Sequence, residues 1–156
     1  MPDWLVPFVS ICGALLVAVA NYLVQRWRYK LDRVSNSVDQ FCDEVNEVAD
    51  LSTVYWLLDA SQADQQQSAS QIEPQLVGRQ MRLQSLVLAL SALDGKIDLT
   101  RTNMLLIDFY EALTGADFQV AKRSASTELA QLVQSIAAKI NGEIRHAVSL
   151  RSQRWS

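Results

Sequence analysis

The stretch "ANYLVQRWRYKLDRVSNSVDQF", Ala20 to Phe41, leaves an uncharged apolar segment, crosses Arg26, Arg28, Lys30 and Arg33, and becomes amphipathic. No Pro or Gly interrupts it. Its reading is a single helix that passes between two surroundings. Upstream, Trp4 to Val24 carries no charge. At 1.5 Å per residue that run measures about 31 Å, the thickness of a hydrocarbon core of about 30 Å. Trp4 lies at one end, with Tyr22 and Trp27 at the other, as interfacial aromatics do. A cleaved signal peptide would carry its positive charge before the run, whereas here the basic cluster follows it. The sequence therefore predicts a transmembrane helix over residues 1–24. Arg26, Arg28, Lys30 and Arg33 set its topology: N-terminus outside, remainder in the cytoplasm of a bacterial cell, with the protein in the inner membrane.

Downstream the apolar stripe continues as Leu31, Val34, Val38, Phe41, Val45, Val48, Ser52 and Tyr55. Its alternating spacing of three and four is a coiled-coil-like heptad seam over residues 25–58. Run backwards, the seam meets Trp27, Val24, Ala20, Val17, Gly13 and Ser10, and Ser10, Ala14 and Ala18 form a second small row. Small residues let apolar helices approach closely. Ser10, Gly13, Ala14, Val17, Ala18, Ala20 and Asn21 are accordingly the candidate helix-packing residues of a homo-oligomer.

Beyond the seam, "DASQADQQQSASQIEPQ" over 59–75 lacks periodicity and is expected to be a polar linker. Residues 76–156 hold the remaining helices. Leu76, Leu83, Val87 and Leu90 share a face of the second, which starts near Glu73. Asp98 or Thr100 caps a third that ends before Gly115, and Ser126 caps a fourth. With only 5 Gly and 3 Pro, long helices are easy to build and a turn-rich β fold is not. The predicted class is all-α: one N-terminal transmembrane helix continuing into an antiparallel cytoplasmic bundle of about four helices.

Charge orders the bundle. The first helix carries Asp39, Asp43, Glu44, Glu47 and Asp50 with no Lys or Arg between Arg33 and Arg79, while the chain from Lys122 onward is basic. The fourth helix is expected beside the first. Asp43, Glu47 and Asp50 lack a His or Cys at ligand spacing and read as a solvated or partner-facing surface. At the basic C-terminus, Arg145, His146, Arg151, Arg154 and Trp155 are the candidate contacts to a ligand or lipid headgroup.

The chemistry of catalysis is thin. His146 is the only histidine, and no P-loop, G-x-S-x-G, H-E-x-x-H or paired C-x-x-C occurs. Helical nucleases of the HEPN group use an Arg four to six residues before a His, and the positions at that distance before His146 hold none. Cys12 and Cys42 read as free thiols. A net charge of -3 does not indicate nucleic acid. The expectation is a non-enzyme without metal or cofactor. Its expected partners are the lipid bilayer, further copies of itself, and a cytoplasmic protein or small signalling ligand.

At the level of architecture, "WLVPFVSICGALLVAVANYLVQRWRYK" followed by a helical remainder resembles the small single-span effectors of bacterial anti-phage defence systems. That resemblance implies a self-associating membrane protein whose bundle senses a partner or ligand and acts on the membrane, as a pore or effector. A passive anchor or scaffold that recruits a partner shares the same features.

Overall fold

The computed structural model describes residues 5–95, 97–115 and 117–153, with the side chains of 5–12, 14, 152 and 153 outside the description. Four helices follow one another: α1 (Leu5–Leu57), α2 (Ala63–Leu93), α3 (Thr100–Leu113) and α4 (Thr127–Gln153). The chain divides into two units, Met1–Asn36 and Ser37–Ser156.

The first unit corrects the membrane assignment. Among the described residues no helix is long and apolar enough to cross a membrane. In α1, Gly13 and residues 15–24 stand exposed in the single chain. Beyond them α1 takes on Arg26, Arg28, Lys30, Asp32 and Arg33. The transmembrane helix expected over 1–24, and the inner-membrane location drawn from it, therefore find no support. Arg26, Arg28, Lys30 and Arg33 lie exposed on α1, and without a span no topology attaches to them. Within this unit Leu15, Leu16, Val17, Val19, Tyr22, Leu23, Val24, Trp27 and Tyr29 are all exposed.

The second unit is an antiparallel four-helix bundle built on the seam of α1. Val38, Phe41, Val45, Val48, Ser52 and Tyr55 are buried, with Phe41, Val45 and Val48 wholly inaccessible. Here the seam packs inside its own chain and is not free to pair with a second copy. Leu76, Leu83, Val87 and Leu90 of α2, Leu106 and Phe109 of α3, and Val133, Ile136, Ile140 and Ile144 of α4 complete the core.

Side-chain pairs give the directions. Tyr55 meets Glu73 in the first half of α2, and Glu44 meets Arg79 and Arg82 further along, so α1 and α2 run antiparallel. Gln134 reaches Asp50, Asn141 reaches Asn46 and Arg145 reaches Asp39, so α4 also runs against α1. This is the arrangement expected from an acidic first helix beside a basic fourth. Arg101 and Glu143 join α3 to α4 at 3.7 Å.

Most of the stretch read as linker is helical. Only 58–62 turns: Ser61 donates to the Asp59 carboxylate from both its backbone N–H (3.0 Å) and its hydroxyl (2.6 Å). The Gln- and Ala-rich segment then enters α2, because those residues have good helix propensity and its Ala69 and Leu76 are buried. Pro74 sits inside α2, where it removes one backbone donor without ending the helix. At α3, the Asp98 carboxylate accepts from the backbone N–H of Thr100 at 3.0 Å, and at α4 the Ser126 hydroxyl accepts from Leu129 N at 3.3 Å. Ser126 caps α4 where the sequence places it, whereas the N-cap of α3 is Leu99, without a side-chain bond, and Asp98 closes the turn just before it.

Truncating Phe41 to Ala removes a wholly buried ring from the seam and should destabilise the bundle by about 3–5 kcal/mol. The exposed Met81→Ala should stay within about 0.5 kcal/mol. Urea denaturation followed by circular dichroism measures both.

Candidate functional site

Three regions compete as a site: the exposed apolar half of α1, the charged faces of the bundle, and the end of the bundle where α1 stops. The first is the candidate interaction surface. Gly13, Val17, Ala18, Ala20 and Asn21 are all exposed, and a Cβ placed on Gly13 meets no atom within 4 Å. Ser10 and Ala14 lie outside the described side chains. The large apolar side chains are spread around the helix: Leu15, Val19 and Tyr22 lie roughly opposite Val17 and Val24 at 100° per residue.

The C-terminal cluster is not brought together as one site. Arg145 pairs with Asp39 at 3.1 Å, both partly exposed, which contributes at most about 1 kcal/mol. Arg151 is instead held by Asp94 at the end of α2, with both side chains largely covered. His146 is exposed, and Arg154 and Trp155 lie outside the described residues.

The acidic face of α1 is also partly consumed. Glu44 is only 3% exposed and is held by Arg79 and Arg82, each at 2.9 Å. Glu47 shares Arg79, and Asp50 accepts from Gln134. A carboxylate taken from water needs such charged donors to offset its desolvation. This part of the face binds α2 and α4 rather than an outside partner. Among the described residues no group of three His, Cys, Asp or Glu side chains is placed to hold a metal ion.

The polar cluster that sequence reasoning missed lies where α1 ends. Arg123, 4% exposed, stacks its guanidinium 4.0 Å from the centre of the Tyr55 ring and 5.0 Å from that of Trp56. It donates to the Leu58 carbonyl at 3.0 Å and to the Tyr55 carbonyl. Ser126 N donates to the Trp56 carbonyl at 2.7 Å. Helix C-termini leave carbonyls unpaired and carry partial negative charge, and a cation with a fork of donors suits both. The Tyr55 hydroxyl donates to the Glu73 carboxylate and accepts from Gln119 N at 3.1 Å. One residue thus ties α1 to α2 and to the α3–α4 connection. Gln119 and Lys122 take left-handed backbone conformations (φ 63° and 66°), which cost non-glycine residues energy and are held here by these bonds. In sequence the only cue was a basic residue after a short polar loop.

Burial pushes the Cys42 thiol up, outweighing the opposing effect of Arg145. Burial also pushes the Tyr110 phenol up to about 12. A raised thiol pKa contributes stability below the unfolded value and loses it as pH rises through the folded one. No family model, curated protein or solved structure matches the chain.

Two outcomes test this geometry. Arg123→Met should cost about 2–4 kcal/mol in urea denaturation, because two carbonyls lose their buried donor, and Arg123→Lys should not restore it. In a Cys12→Ser background, Cys42 should be alkylated by iodoacetamide at pH 8 at least about ten-fold more slowly in the folded protein than in urea.

Proposed function

We propose that this protein is a non-enzymatic helical interaction protein that self-associates through the N-terminal half of α1 and presents its four-helix unit to a partner. One observation carries the reading: nine large apolar side chains between Leu15 and Tyr29 stand 48–72% exposed in the single chain. Together they present on the order of 1,000 Å² of mostly apolar surface, above the 300–600 Å² of the largest patch on a typical monomer. It also exceeds the roughly 800 Å² per partner of a standard interface. Such a surface requires a cover, and further copies of the same helix supply one.

The partner-presenting role of the bundle is supported by α2. Its Val77, Met81 and Leu88 are exposed at spacings of four and seven, which puts them on one helical face. A protein partner is the class that fits such a face. A scaffold that holds its partner without sensing it uses the same surface.

Light scattering of the purified full chain in several mild detergents tests the self-association. A defined multiple of the chain mass is expected. Gly13→Leu should weaken association at least about ten-fold while leaving the bundle's unfolding unchanged, since among the described residues a Cβ added there meets nothing within 4 Å. Leu16→Ile should have little effect. A monomer in every detergent overturns self-association and leaves the scaffold.

A further inference from the structure

We propose that one face of α1 docks on an anionic lipid surface, with Leu15, Val19 and Tyr22 in its apolar layer and Arg26 and Lys30 on its phosphates. At 100° per residue Leu15, Val19, Tyr22, Tyr29, Lys30 and Arg33 all fall within about 60° of Arg26. Every one of these side chains is exposed. Over about 27 Å of helix this face passes from aliphatic side chains, through tyrosine, to cations.

Charge singles the face out. Between Gln25 and Val34 the helix carries Arg26, Arg28, Lys30, Asp32 and Arg33. Arg26, Lys30 and Arg33 share the face just described, with no acid among them. Arg28 and Asp32 both lie more than about 100° from Arg26 and offset one another. The excess positive charge therefore has a side. Gly13, Val17 and Val24 are on the opposite side, which serves the self-association proposed above, so this inference does not rest on that one.

The occupant of the face must cover Leu15 and Val19, meet Tyr22 at a wet boundary and bring negative charge to Arg26 and Lys30, in that order. An anionic leaflet presents these in order of depth: acyl chains, an interfacial layer that takes tyrosine with its hydroxyl in water, and phosphates. A helix tilted into one leaflet makes this contact without crossing the bilayer. A second copy brings the same cations and no acid to the face. A nucleic-acid strand supplies phosphates but nothing to cover Leu15 and Val19.

Flotation of the full chain, diluted from detergent into preformed vesicles, tests the contact. The protein should bind vesicles of phosphatidylglycerol and phosphatidylcholine in equal parts at least about ten-fold more tightly than phosphatidylcholine alone. Arg26→Gln should lower the affinity for the anionic vesicles about five-fold, and Arg26→Gln with Lys30→Gln at least about ten-fold. Arg28→Gln, on the other side, should lower it no more than about two-fold. By light scattering, the mass in detergent should be the same in all of these variants. Equal binding to both vesicle types, or binding to neither, overturns the anionic surface. Arg28→Gln as damaging as Arg26→Gln overturns the choice of face. A double variant whose mass in detergent falls makes the stripe a contact between copies and overturns the lipid contact.

Discussion

The bundle depends on the burial of one stripe of α1. Phe41, Val45 and Val48 have no exposure at all, and Val38, Ser52 and Tyr55 extend the same line. Three other helices are arranged to cover it, since an isolated helix in water gains too little from its own hydrogen bonds to be stable. Burying a large apolar side chain contributes roughly 1.5–3 kcal/mol, and the seam supplies several such contributions in sequence. The antiparallel order of the helices follows, because short connections return each helix alongside its neighbour.

Polar groups then decide which helix lies where. Glu44 is buried against α1's neighbour only because Arg79 and Arg82 meet it from α2. Arg123 rests on carbonyls and two aromatic rings at the end of α1. Removing either half of such an arrangement leaves a buried group unsatisfied, which costs more than the contact itself contributes. These contacts give the bundle its register, and they remove Glu44 and Arg123 from any role toward an outside partner.

The bundle offers the apolar face of α2, while the N-terminal half of α1 offers apolar side chains on every side and a single amide. The interaction role proposed above draws its affinity from that area.

The sequence by itself determined the helical class, the near-complete extent of α1 and α3, the start of α4, and most of the apolar stripes that α1, α2 and α4 bury, while Trp56, Leu106 and Phe109 joined the core only in the structure. Periodicity at Leu31 to Tyr55 and the cap at Ser126 are local signals, and each residue carries its own share of them. It misread 59–75, because the Gln-rich turns of α2 have propensity without periodicity and Ala69 gains its burial only from packing. It read the run before Val24 as a span from hydropathy, whereas among the described residues no helix is long and apolar enough to cross a membrane. It took Glu44 and Arg151 for surface charges, although each has its counter-charge 35 or more residues away. Whether a charged side chain is a site or a strut depends on what stands opposite it. That pairing is set by how distant helices meet, and only the tertiary structure decided it.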